Sequence, residues 1–250
     1  MLRGSILVAA TAAFLSCGAA YAQPDVIARA LADPARPAAD KARDAERHPG
    51  QLLVWAGVET GDKVGEYMPG GGYFTRILSK AVGSTGKVYA YVPAEIVKIA
   101  PKYLTDGQAL AADPALGNVV TSSDTNARFG APEPLDLVWT SQNYHDLHGK
   151  FAPPGTAVAF NAAVFKALKP GGTYMVIDHA ALPSSGLMGA AEQHRIAKAA
   201  AIEEIQQAGF VLAGESGLLA NPNDPLTASV FDPSIRGKTD QFVLKFKKPQ

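Results

Sequence analysis

The chain has 250 residues, with 23 basic and 23 acidic side chains, 47% hydrophobic and 18% charged. This is enough apolar material for a core and too little charge for a disordered chain, and zero net charge gives no electrostatic reason to expect nucleic acid. One cysteine excludes a disulfide framework and a cysteine-based zinc or iron–sulfur site.

Arg3 supplies a short basic start, and Ile6 to Leu15 is an apolar run of roughly ten residues, about half of a spanning helix. Ala20-Tyr21-Ala22 then offers a small-x-small cleavage pattern before polar sequence. Residues 1–22 read as a secretory signal peptide cut after Ala22, directing the chain to the periplasm or beyond without stable membrane insertion. Lipidation at Cys17 is the lesser alternative, because Phe14-Leu15-Ser16 is a poor lipobox. Residues 23–50, rich in Ala, Arg and Asp and broken by Pro34 and Pro37, read as two short polar helices with little core of their own.

From residue 51 to 250 strands and helices alternate. Lys63 to Tyr67 is a strand that runs into Pro69-Gly70-Gly71-Gly72. Phe74, Ile77, Leu78, Ala81 and Val82 then define one buried helix face, ended by Gly83. Lys87 to Val92 is a strand, Ala94 to Leu104 a helix despite Pro101, and Val119-Val120 a weak strand. Leu135 to Thr140 is the fourth strand. Val158, Ala162, Phe165 and Leu168 lie on a helix before the strand Thr173 to Asp178. A helix from Glu192 to Ala208, the strand Phe210 to Ala213 and a final strand Gln241 to Phe246 close the chain. The alternation specifies a doubly wound, Rossmann-like α/β domain of about seven strands, mostly parallel, with an antiparallel last strand. Trp55 and Trp139 read as core residues.

Such sheets bind ligands beyond the carboxyl ends of their strands. Three consecutive glycines before an amphipathic helix let a ligand approach the backbone and the helix N-terminus. A nicotinamide site wants G-x-G-x-x-G and a later acid, but the third glycine is misplaced and the second strand ends in Val92. A P-loop wants Gly-Lys-Ser/Thr, but Gly72 is followed by Tyr73. What remains is an acid, Glu66, at the end of the first strand.

The run Val64-Gly65-Glu66-Tyr67-Met68-Pro69-Gly70-Gly71-Gly72-Tyr73-Phe74-Thr75 resembles the first motif of class I S-adenosylmethionine-dependent methyltransferases. The likeness continues through Gly86–Tyr91, Asp136-Leu137-Val138-Trp139 and Leu168-Lys169-Pro170-Gly171-Gly172, and the tail is similar to a secreted bacterial subgroup of predicted methyltransferases. The resemblance implies that S-adenosylmethionine is the cofactor. Glu66 would anchor its methionine ammonium, with Gly70, Gly71 and Gly72 around it, Asp124 near its adenine, and Gln142 and Asn143 facing its methyl-bearing end. Two positions depart from the family: Met68 replaces a glycine, and Val92 stands where an acid grips the ribose, for which Glu95 is a conceivable substitute.

On the substrate side, Ser141-Gln142-Asn143-Tyr144-His145-Asp146-Leu147-His148 follows the fourth strand. His145 is the candidate base or orienting group, with Tyr144 and His148 beside it; the alternative is a loop whose histidines only hydrogen-bond. No metal is expected, because His145, His148, Asp146 and His179 lack a supporting cysteine or H-E-x-x-H pattern. His194 and Arg195 read as helical packing or surface residues. Residues 217–240 should overhang the ligand side, where Asp232, Arg236 and Asp240 could shape a pocket. The expected reaction is methyl transfer to a small molecule. The alternatives are an exported protein that binds a metabolite without methyl transfer, or other chemistry in the His145 loop, because export separates the chain from cytoplasmic S-adenosylmethionine.

Overall fold

Lys63–Tyr67 (β1), Lys87–Tyr91 (β2), Val119–Ser122 (β3), Leu135–Ser141 (β4), Leu168–His179 (β5), Val211–Ser216 (β6) and Gln241–Lys247 (β7) form one sheet in the order β3-β2-β1-β4-β5-β7-β6. Strands β1 to β5 pair in parallel, and β7 runs antiparallel between β5 and β6. The doubly wound α/β expectation holds, including its reversed last strand. The computed structural model describes residues 24–250, so the signal-peptide reading of residues 1–22 lies outside the described residues. Among the described residues no helix is long and apolar enough to cross a membrane.

The helices before the sheet are Asp25–Ala32 (α1), Ala38–Lys41 (α2), Asp44–Arg47 (α3) and Pro49–Ala56 (α4). Three short helices thus replace the two expected ahead of residue 50, since a turn at Ala42-Arg43 separates α2 from α3; His48, left-handed (φ 43°), ends α3. They also contribute more core than their polar sequence suggested. Ile27 and Ala30 of α1 pack with Ile77 and Leu78 of Tyr73–Val82 (α5). On that face of the sheet lie Val64, Trp139 and Val243; on the other, Tyr67, Tyr174 and Phe246 meet Phe160. Trp139 is fully buried, as expected, whereas Trp55 is only partly so and lies under Lys245.

Two expected helices are interrupted. The first divides into Ala94–Ile99 (α6) and Lys102–Ala112 (α7), because Pro101 lacks a donor and forces Ala100 out of helical geometry (φ −143°). After Thr156–Ala167 (α8), the second divides into Ala190–Gln193 (α9) and Lys198–Gln207 (α10). His194 turns left-handed (φ 56°), and Ile196 forms a bridge with Ala180 beyond β5. His194 and Arg195 therefore lie on no helix, which corrects their reading from sequence.

Gly72, at the entry to α5, is left-handed (φ 82°), and a Cβ there would collide with the Leu110 side chain. Gly72→Ala should lower stability by about 2–4 kcal/mol through left-handed strain and overpacking. The urea midpoint checks this: an unchanged midpoint would mean that the turn relaxes without resistance.

Candidate active site

The chain switches direction between β1 and β4, and the crevice beyond their carboxyl ends is where such a sheet takes a ligand. Glu66 of β1 enters it buried, and its Oε2 has no hydrogen-bond partner among the described residues. Burial pushes its pKa up to about 7, against the opposing pull of Thr75, Arg47 and Arg76. A buried, unpartnered carboxylate oxygen is costly unless a donor reaches it. Directly after it the backbone turns through Met68 (φ 51°), Gly70 (φ 55°) and Gly72 (φ 82°). Met68 thus adopts a left-handed conformation that a glycine would hold without strain, at a cost of about 1–2 kcal/mol.

Arg47 reaches the same crevice from α3. Its guanidinium lies 4.3 Å from the Tyr73 ring centre and 4.8 Å from that of Phe74, and it donates to Ser141 Oγ at 3.2 Å. Burial lowers its pKa to about 10. The segment carrying it is tied across the glycine turn. Tyr73 donates to Asp44 at 2.7 Å, Arg36 pairs with Asp44, and Arg76 donates to Asp40 at 2.9 Å and to Gly71 O at 2.8 Å. Sequence reasoning missed Arg47 because a four-residue polar helix carries no periodic signal; only the fold brings it to β1 and β4.

The remaining cofactor candidates make contacts within the chain. Asn143 is buried and donates to Tyr67 O at 3.2 Å and Met68 O at 3.1 Å, clamping the β1 exit. Gln142, itself left-handed (φ 64°), donates to Gln241 of β7 at 3.0 Å. Asp124 turns on its own loop, accepting the Thr125 N–H at 2.7 Å. Val92 is fully buried, and the Glu95 carboxylate accepts the Asn126 N–H at 3.1 and 3.2 Å.

Beyond β4 and β5 a second polar group assembles. Asp178, at the end of β5, accepts from the His145 backbone N–H at 2.6 Å and holds His145 Nδ1 at 2.8 Å. The Nδ1 proton is therefore committed to Asp178, and when the ring is neutral Nε2 carries the lone pair, facing His194 and Asp146. Burial works against protonation of His145, but Asp178 outweighs it and raises the pKa, while Asp178 itself is held low. Burial pushes Asp146 up to about 6. His194 Nδ1 lies 3.1 Å from His145 Nε2, an approach that sequence reasoning missed because it depends on the break between α9 and α10.

Tyr144 does not join this group. Its hydroxyl is buried between Asn161, which donates to it at 2.8 Å, and Glu204, to which it donates at 3.2 Å, and burial raises its pKa well above normal. His148 also pairs with Glu204, at 3.0 Å. His179 turns instead to Thr239 at 2.7 Å, and burial lowers its pKa to about 4. In the 217–240 segment, Asp232 and Arg236 are exposed, whereas Asp240 accepts the Asn221 N–H at 2.7 Å. The anchor of that segment is Asp224, paired with the fully buried Arg195.

No family model matches the chain, and no curated protein matches it in sequence. Solved structures do match its fold. A SAM-dependent methyltransferase from Aquifex aeolicus superposes with a TM-score of 0.59 at 18% identity, covering 90% of this chain and 98% of that one. An arsenic(III) S-adenosylmethionine methyltransferase from Chlamydomonas reinhardtii gives 0.52 at 18% identity, covering 92% and 75%. The cyclase SpnF gives 0.56 at 13% identity, covering 82% and 81%. The fold is that of the class I S-adenosylmethionine-dependent methyltransferases, with its seven-stranded sheet and reversed last strand.

Proposed function

We propose that the chain is an exported S-adenosylmethionine-dependent methyltransferase acting on a small molecule. The observation that carries this reading is Glu66 Oε2, a buried carboxylate oxygen without a partner among the described residues, at the switch point directly before a left-handed glycine turn. An ammonium group is the donor such an oxygen lacks. Arg47, beside it, offers a guanidinium to a carboxylate, so the two residues together suit the zwitterionic end of an amino acid. S-adenosylmethionine would bring a methyl group already activated for in-line displacement. Tyr73 and Phe74, under Arg47, would line its aliphatic arm.

The chain's own contribution is then binding and orientation, which can supply most of the rate in a displacement of this kind. Asn143 fixes the β1 exit, and Asp178 fixes the His145 tautomer, leaving its Nε2 directed at His194 and Asp146 beside the crevice. Directly after β2, Val92 offers no carboxylate to grip a ribose. The lost charged hydrogen bonds, about 1.5–3 kcal/mol each, point to weak cofactor affinity.

Thermal unfolding with and without S-adenosylmethionine and S-adenosylhomocysteine tests the reading. Ligand at a hundred times its Kd stabilises a protein by about 2.7 kcal/mol, a shift of roughly 5–10 °C for a chain of this size. No shift at millimolar ligand would overturn it.

A further inference from the structure

We propose that His145, Asp146 and His194 form a binding site for a divalent first-row transition-metal ion, with His145 Nε2, Asp146 Oδ1 and His194 Nδ1 as its ligands. The three atoms form a closed triangle. His145 Nε2 lies 3.1 Å from His194 Nδ1 and 3.5 Å from Asp146 Oδ1, which is 3.8 Å from His194 Nδ1. The point equidistant from corners so spaced is about 2.0 Å from each, the length of a zinc–nitrogen or zinc–oxygen bond. Neither distance to Asp146 is a strong charge-assisted hydrogen bond, for which about 2.7–2.9 Å is needed.

The charges agree with the geometry. When the ring is neutral, its Nδ1 proton given to Asp178, Nε2 presents an acceptor to a second acceptor, the Asp146 carboxylate. A single His194 proton cannot satisfy both. Asp146 and Asp178 both crowd one imidazole, so the cluster stays net negative even when that ring is charged. A divalent cation balances it, and neutral imidazole with carboxylate is the donor set of zinc and its neighbours.

Each ligand is held from behind. Asp178 orients His145 through Nδ1 while accepting the backbone N–H of the same residue, the carboxylate–histidine support common at metal sites. His194 is fixed between the end of α9 and Arg195, which is locked by Asp224 and by the carbonyls of Ala180 and Ala228. Its ring also packs edge-on against Phe231, 4.8 Å between centres. Three protein ligands are one short of a tetrahedron, which leaves a position for water or for a substrate hydroxyl or thiol. Use of that position in methyl transfer rests on the function proposed above; the site itself does not.

The full chain, prepared without a histidine tag, is stripped with chelator and titrated with Zn2+ by calorimetry. Co2+ is titrated in parallel, and its visible absorption reports nitrogen and oxygen ligation. S-adenosylmethionine is absent from every arm, so failure here is distinct from failure of the methyl-transfer reading. The expected result is one ion per chain, with Kd raised about 100-fold or more by His194→Ala and by Asp146→Ala. His148→Ala, whose ring pairs with Glu204 instead, should bind as the parent does. Because the His194 side chain is 32% exposed, its variant should fold even if Asp146→Ala does not, and it then decides alone. Absence of binding at micromolar Zn2+, or an unchanged Kd in His194→Ala, would overturn the site and leave a hydrogen-bonded histidine pair.

Discussion

Glu66→Gln should stabilise the free protein at pH 8, leave it unchanged at pH 5, and weaken S-adenosylmethionine binding more than tenfold. Burial raises the Glu66 pKa from 4.5 to about 7, so the folded state holds a proton that the unfolded state has already released. Its contribution to stability is fully present below pH 4.5 and is lost as pH rises through about 7. Over that window the loss is about 3 kcal/mol, because each pH unit between the two values costs about 1.4 kcal/mol. A neutral amide of the same shape escapes it, and the variant should recover about 2 kcal/mol at pH 8, less than the full amount because the amide is also desolvated.

The same proton links to the ligand. An ammonium binds the ionised form, so cofactor affinity should rise by up to tenfold per pH unit and level off above about pH 7. The amide loses the charge-assisted bond, about 1.5–3 kcal/mol, or more than tenfold in Kd, and its remaining affinity should lack this pH slope. Denaturant melts at the two pH values and isothermal titration from pH 5.5 to 8 separate the effects. A variant that binds as tightly as the parent would place the ammonium elsewhere.

Arg195→Met should cost about 3–5 kcal/mol, the largest loss expected of any substitution considered. The guanidinium is fully buried and donates to Asp224 at 2.9 and 3.1 Å, to Ala228 O at 2.7 Å and to Ala180 O at 2.8 Å. Its removal strands an ionised carboxylate whose pKa the folded state lowers. That carboxylate also accepts the N–H groups of Leu226 and Asp240, so the damage spreads through residues 217–240. The double variant Arg195→Met/Asp224→Leu should recover much of the loss, because a buried pair is often replaceable by apolar residues while half a pair is not. Additive losses in that cycle would show that the two residues act independently.

The parts of this protein that are local in the chain were legible in its sequence. The buried face of α5 follows from Phe74, Ile77, Leu78, Ala81 and Val82 at helical spacing, and the sheet's parallel character from strands alternating with helices. Glu66 and the turn at Gly70–Gly72 were legible too, since an acid followed by glycines is a contiguous pattern, and His145 stood out by the density of polar groups around it. Local rules failed where a break had to be weighed against a periodic pattern. Pro101 divides one helix, and His194 divides another, because the Ile196 bridge to Ala180 and the Arg195–Asp224 pair outweigh helix propensity.

What only the tertiary structure decided are the groups that meet across long stretches of chain. Arg47 reaches Ser141, 94 residues away, Asp178 meets His145 over 33, and His194 comes to it over 49. None of these pairings has a periodic or contiguous signature, because they depend on which strand ends the sheet order brings together. Tyr144 and His148 show the converse. They neighbour His145 in sequence, but a short helical turn sends their polar atoms to Glu204 of α10 instead. Periodicity sets which face of an element is buried, and so the sequence determined the sheet, its glycine turn and the acid before it. Side-chain direction and the packing of distant loops set which polar atoms converge, and so the tertiary structure alone decided the membership of the site.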